Sequence, residues 1–153
     1  MNDNEPKTFS VGGRHPGASS PAWSRVMSAR ARKGATAPEM HLRRALHALG
    51  LRYRVQAKIP SRPRRTVDIS FPRQRIAVFV DGCFWHGCPD HGVKPKSNPD
   101  WWQRKIATNQ ARDADTNAAL EAEGWAVIRV WEHEAIDAVT RRIVREIGAR
   151  RSR

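Results

Sequence analysis

The densest chemistry in the chain lies in one short string, DGCFWHGCPDH, at residues 81–91. Cys83 and Cys88 are soft thiolate donors, and His91 follows the second by three residues. A further histidine, His133, stands just past an apolar segment, WAVIRVW, that reads as a strand. Two sulfurs and two imidazoles are a sufficient donor set for tetrahedral zinc. The competing account of a short cysteine pair is a buried free thiol with a bystander. His86 lies between the two cysteines; if four other groups complete the zinc, it is left for acid–base work near neutral pH, and otherwise it is an alternative ligand. Phe84 and Trp85 are adjacent large rings in a loop, suited to stacking on or wedging between bases, with loop packing as the alternative for one of them.

Carboxylates form the second set. Asp68 interrupts the apolar stretch VDISF, and an acid in a buried strand needs a partner, such as a divalent cation, unless it faces solvent from an edge. Asp81 ends the neighbouring apolar run IAVFVD and is placed to share or tune that cation. Glu39, in the first turn of an early helix, either complements the helix dipole or turns its carboxylate to the same site. On a later helix, Trp102, Lys105 and Asn109 are spaced by three and four residues, an aromatic, a cation and an amide on one face. Such a stripe reads bases and phosphates, or is a solvated face with its tryptophan buried.

The elements that must position these groups follow from local pattern. Thr36 and Pro38 open a helix with apolar residues at Leu42, Ala45, Leu46 and Leu49, and Gly50 closes it. LRYRVQAKIP predicts a strand, SRPRRT leads into the strand VDISF, and PRQR turns into IAVFV. That last run has no alternation, as expected of a strand buried on both faces. A helix over about 99–123, stopped by Gly124, connects it to WAVIRVWE, so these two strands are predicted parallel and end on one edge of the sheet. A final helix spans EAIDAVTRRIVREIG. The fold class is α/β, a mixed sheet of about four strands flanked by helices. Residues 1–23, rich in Gly, Ser, Pro and Asn, read as a flexible arm, 24–148 as one domain and 149–153 as a basic tail; the basic stretch 22–35, with Trp23, Val26 and Met27 spaced for one helical face, reads as a short helix laid on the core or on DNA.

Composition agrees with a polyanionic partner. The 153 residues carry 28 Lys and Arg against 15 Asp and Glu, a net charge of +13, and 39% are hydrophobic, enough for a core without disulfides. A merely solvated basic surface is the alternative. The apolar runs fall well short of the roughly 18 residues of a membrane span, and the first residues lack a signal peptide's apolar stretch, so an intracellular protein is expected.

Taken in order, ATAPE, TVDISF, VFVDGCFWHGCPDH, PKSNPDWWQRKIATNQARD and GWAVIRVWEHE resemble the very-short-patch-repair (Vsr) DNA mismatch endonucleases over about residues 24–135. The resemblance implies a fold similar to the PD-(D/E)xK restriction endonucleases. It also implies nicking of one strand, 5′ of the mismatched T in a T·G pair left by deamination of 5-methylcytosine. Asp68 and the backbone carbonyl of Val80 match magnesium contacts, His86 the catalytic histidine and Glu39 the upstream acid. Cys83, Cys88, His91 and His133 match a structural zinc site; Phe84, Trp85 and Trp102 match intercalating aromatics; Lys105 and Asn109 fall where the mismatch is read. Two departures stand out: Asp81 occupies a position where some relatives carry a second active-site histidine, and His133 stands where others have cysteine.

The implied cofactors are catalytic Mg²⁺ and structural Zn²⁺. The implied partner is double-stranded DNA with a T·G mismatch, acted on by a cytoplasmic, nucleoid-associated bacterial monomer linked functionally to a cytosine-5 methyltransferase and mismatch-repair proteins. Two other readings fit the residues: a related nuclease of a defence system with different base or modification specificity, and an inactive zinc-stabilised DNA-binding module.

Overall fold

A computed structural model describes residues 36–92, 96 and 98–151. The expected arm and the basic helix over 22–35 lie outside these residues. Helix α1 (Ala37–Ala48) starts where Thr36 Oγ1 accepts the Glu39 N–H, with Pro38 in the first turn, as its sequence requires. Strands β1 (Arg54–Ile59), β2 (Arg62–Phe71) and β3 (Ile76–Asp81) form the meander. Helix α2 (Pro99–Ala122) crosses over to β4 (Ala126–Trp131), and α3 (Ile136–Arg151) ends the described chain.

The four-stranded sheet has the order β1-β2-β3-β4, antiparallel except for the parallel β3–β4 pair. Ile76, Val78 and Val130 meet Leu42 and Leu46 of α1 and Val139, Ile143 and Ile147 of α3 on one face. On the other face, Ala77 and Phe79 meet Leu120 of α2. Burial of β3 on both faces therefore follows from helices on both sides. Each fully buried Leu or Ile contributes about 1.5–3 kcal/mol.

Two bounds differ from the sequence reading. Strand β2 begins at Arg62, inside the Arg/Pro-rich segment expected only to introduce it. Pro63 cannot donate to a ladder, and the pairing accommodates it: Lys58 pairs with Thr66 but Ile59 with Arg62, so residues 63–65 fall in a register shift. Helix α3 continues past Gly148 through Arg151, into the residues assigned to a basic tail. Arg150 holds that last turn down, bonding Glu146 and donating to the carbonyls of Gln74 and Gly124.

The strands part where the site begins. The β2–β3 register runs from Phe71–Ile76 to Ile69–Val78 and stops there. Val67 joins the core on the α2 side while Ile69 joins the other, so the strand turns its face over across Asp68. Gln56, between the Val55–Ile69 and Ala57–Val67 pairs, has φ +48° at the same level.

Candidate active site and metal centre

Beyond the point of separation, Val80 finds no ladder carbonyl on β2 and donates its N–H to Asp68 Oδ2 instead, at 2.8 Å. The Gln56 amide reaches Asp68 Oδ1 at 3.5 Å, and Thr66 donates to Gln56 Oε1 at 2.9 Å. Burial holds the Asp68 pKa above the usual carboxylate range, with Asp81 adding to the effect against the Val80 bond. Glu39, buried at 4% exposure and ion-paired with Arg43, is also raised, by burial first and then by the charge of Asp68. Helix α1 carries Glu39 into the interior, where its carboxylate is paired with Arg43 and feels the charge of Asp68. Asp68, a partly buried oxygen donor whose ionised form is disfavoured, fits a hard divalent cation.

Asp68, Val80, Asp81, His86, Asp113 and Arg129 line one cleft of about 350 Å³, with Arg64, Arg65, Arg112 and Asn109 among its other walls. A larger hollow of about 450 Å³ at the opposite end of the sheet is lined by Leu51, Tyr53, Phe71 and Ile147 with arginines around them. Among the described residues its lining has no carboxylate, histidine or cysteine, whereas the smaller cleft gathers Asp68, Asp81, Asp113 and His86.

His86 enters this cleft from the loop after β3. Its Nδ1 lies 2.5 Å from Asp113 Oδ2 on α2 and 3.7 Å from Asp81 Oδ1. A carboxylate on Nδ1 places the proton there and leaves Nε2 as the basic nitrogen. Burial lowers the His86 pKa, but the Asp113 bond and the charges of Asp81 and Asp113 outweigh it and hold it above the ordinary value. Asp81 is buried, and both its oxygens are taken by Arg129 Nη1, at 2.8 and 2.9 Å. Where the sequence suggested that Asp81 shares a cation with Asp68, its immediate partner is this guanidinium.

The zinc candidates converge. Donor atoms of Cys83, Cys88, His91 and His133 all lie within 4.8 Å of one another, with His133 Nδ1 at 3.0 Å from Cys83 Sγ and 3.8 Å from Cys88 Sγ. Zinc bonds of about 2.0–2.3 Å require donor separations of about 3.3–3.8 Å. Neither cysteine is in a disulfide, and burial, then Cys88, pushes the Cys83 thiol up to about 11. Such a thiol pair fits a cation that would stabilise the thiolates. The parallel register pairs Asp81 with Trp131, so the chain past β4 delivers His133 to the loop past β3. Glu132 Oε1 accepts the Cys83 N–H at 2.8 Å, and Cys88 N–H returns to the Cys83 carbonyl at 2.9 Å. Gly87 is needed in this loop: its φ is +65°, and a Cβ there would stand 2.8 Å from Ile106 and Gln110.

The aromatics pack as one group. The Phe84 ring centroid lies 5.1 Å from that of Trp85 and 4.9 Å from that of Trp102, both edge-on, and the two indoles lie 5.7 Å apart at a tilt of 54°. Trp102 is only 5% exposed and forms the floor, with Phe84 and Trp85 half-buried above it. Asn109, which the resemblance puts where the mismatch is read, lines the cleft and donates its amide to the Trp85 carbonyl at 2.8 Å, bracing the loop from α2. Lys105, one turn earlier, is half-buried.

Asp113 and Arg129 were given no role on sequence grounds. Both carried a signal: Asp113 lies four residues after Asn109 on the same helix face, and Arg129 is a charge inside an apolar strand, the same oddity that marked Asp68.

Residues 20–91 match the family model described as DNA mismatch endonuclease Vsr. The chain is 45% identical over 130 residues to the Type II nicking enzyme V.NaeI of Lentzea aerocolonigenes, covering 83% of this chain and 78% of that one. It is 44% identical over 123 residues to V.XorIIP, a Type II nicking enzyme of Xanthomonas oryzae pv. oryzae, covering 77% and 85%. It is also 38% identical over 99 residues to the DNA mismatch endonuclease Vsr of Escherichia coli, covering 63% and 61%. With His86, Asp113 and Asp68 gathered in one cleft beside a two-cysteine, two-histidine cluster, and with these relatives, the chain belongs to the Vsr family of DNA endonucleases.

Proposed function

We propose that this endonuclease uses Mg²⁺ to nick one strand of duplex DNA 5′ of the T in a T·G mismatch, the lesion left by deamination of 5-methylcytosine, on a PD-(D/E)xK-like scaffold. The observation that carries the reading is the placement of His86 and the aromatic pair Phe84 and Trp85 on one loop, opposite Asp68. A single segment thus couples entry into the base stack to the hydrolytic groups.

Asp68 and the Val80 carbonyl would hold magnesium, with Glu39 nearby; bound there, it supplies charge neutralisation at the scissile phosphate. His86, its Nδ1 proton held by Asp113, takes a proton from the attacking water through Nε2. The products are a 5′-phosphate and a 3′-hydroxyl. Cys83, Cys88, His91 and His133 would hold zinc that fixes the loop carrying His86. Phe84 and Trp85 open the stack over Trp102, which costs less at a wobble pair than at a matched one. Lys105 and Asn109, on one face of α2, would read the mismatch. The net charge of +13 supplies salt-dependent, sequence-blind affinity.

Duplexes differing only in T·G, other mismatches or matched pairs, across several flanking sequences, test this directly. Nicking with Mg²⁺ confined to the T strand of T·G supports it. Cutting of matched or modified duplexes overturns it in favour of a second reading, a nicking enzyme of a defence system with different base or modification specificity.

A further inference from the structure

One charged side chain in the cleft has no part in the mechanism above. Arg129, in strand β4, points to the α2 side of the sheet with its guanidinium 4.5 Å from the Phe79 ring centroid. Its Nη1 bonds both oxygens of Asp81, its Nη2 lies 3.3 Å from Asp113 Oδ1, and its Nε donates to Asn117 Oδ1 at 3.0 Å. All three nitrogens face acceptors of the protein itself, so the fork is turned away from an incoming phosphate. The carboxylates it spans are the two that face His86, Asp113 at 2.5 Å and Asp81 at 3.7 Å.

Two carboxylates on either side of one imidazole repel each other and compete for its Nδ1 proton. The donor atoms of Asp81, His86 and Asp113 lie within 4.8 Å of one another, the spacing of a metal site. A planar guanidinium resolves both problems: it neutralises the pair, fixing Asp81 in orientation through Nη1 and holding Asp113 by the charge of Nη2 at 3.3 Å. Asp81 is drawn fully onto Nη1, which leaves Asp113 as the closer partner of His86.

We propose that Arg129 is a positioning residue for strand nicking, clamping Asp81 and Asp113 so that Asp113 alone orients His86. The proposal rests on the reading of His86 as the catalytic base. Arg129 acts through the two carboxylates, both of which its guanidinium faces directly. It also ties β4 to α2 at the level of the cleft, through Asp113 and Asn117.

The test compares single-turnover nicking of a T·G duplex by the wild type, Arg129→Lys and Arg129→Ala, with duplex affinity and thermal unfolding measured alongside. Arg129→Ala is expected to lose about a hundredfold in rate at saturating DNA, as a misplaced catalytic group does, with affinity within about twofold of wild type. Lysine restores little of this rate, because it lacks the fork. Millimolar guanidinium chloride partly restores Arg129→Ala, whereas sodium chloride at equal ionic strength does not. A wild-type rate in Arg129→Ala, or a loss that lies wholly in DNA affinity, overturns the proposal. If Arg129→Ala does not fold, Arg129→Lys and Arg129→Gln carry the same comparison.

A readout without substrate separates this proposal from the functional reading. The proton on His86 Nδ1 gives a downfield NMR resonance in the wild type that is broadened or lost in Arg129→Lys. Failure of the wild type to nick any duplex refutes the functional reading, and the resonance then decides: its persistence unchanged in the Arg129 variants refutes the clamp.

Discussion

Asp68 accepts the backbone N–H of Val80 at 2.8 Å across the gap where β2 and β3 separate. The side chain thereby takes the place of a ladder carbonyl, and the sheet opens without leaving that N–H unpaired. A carboxylate fixed in this way is aimed before any cation or phosphate arrives, which is the condition for electrostatic catalysis without reorganisation.

Burial raises the pKa of Asp68, and of its neighbour Glu39, so ionising them costs stability as pH climbs from the ordinary carboxylate value through the raised one. Asp68→Asn keeps an acceptor for Val80 and removes the charge. In chelator at neutral pH it is expected to be more stable than wild type, by about 1 kcal/mol, while nicking falls by on the order of 10²–10³ and duplex binding persists. Thermal unfolding with and without Mg²⁺, beside a nicking assay, checks both halves. Unchanged nicking would refute the role of Asp68.

His86 is held above its ordinary pKa because the Asp113 bond and the charges of Asp81 and Asp113 outweigh burial. A general base works when neutral, so the rising limb of the rate profile sits above the ordinary histidine value. Asp113→Asn removes the anion: the limb moves to lower pH, and the maximum drops by roughly 10²–10⁴. The stability contributed by the ion pair has the opposite dependence, being fully present below the unfolded pKa and lost as pH rises through the folded one. Rate profiles of wild type and variant measure the first, and pH-dependent unfolding the second.

Protein purified without chelator is expected to carry one zinc per chain by native mass spectrometry. Cys83→Ser and Cys88→Ser each lose it, and amide exchange across residues 82–92 quickens, since those backbone bonds are arranged around the donor cluster. Wild-type protein without bound zinc would remove the four-ligand site.

Trp85→Ala is expected to weaken binding of a T·G duplex by about 1–3 kcal/mol, the value of one stacked base, and to leave matched-duplex binding nearly unchanged. Fluorescence of 2-aminopurine placed beside the mismatch reports the insertion. Equal losses on both duplexes would instead assign Trp85 to loop packing.

Local pattern alone determined much of this protein. The cap at Thr36, the apolar run IAVFV and the crossover to WAVIRVW sufficed for the helices, the doubly buried strand and the parallel pair, because capping and periodicity act over a few residues. The parallel pair in turn brought His133 to Cys83 and Cys88, since strands of one direction end on one edge. Tertiary structure decided the rest. Asp113 meets His86 and Arg129 meets Asp81 across separations of 27 and 48 residues, and no local rule states which face of α2 docks on the sheet. The bond from Asn109 to the Trp85 carbonyl, 24 residues away, is set by the same docking. The opening of the sheet at Asp68 depends on where β2 and β3 stop pairing while β1 and β2 continue, a balance of twist, the register shift around Pro63 and packing on both faces that exists only once the chain has folded.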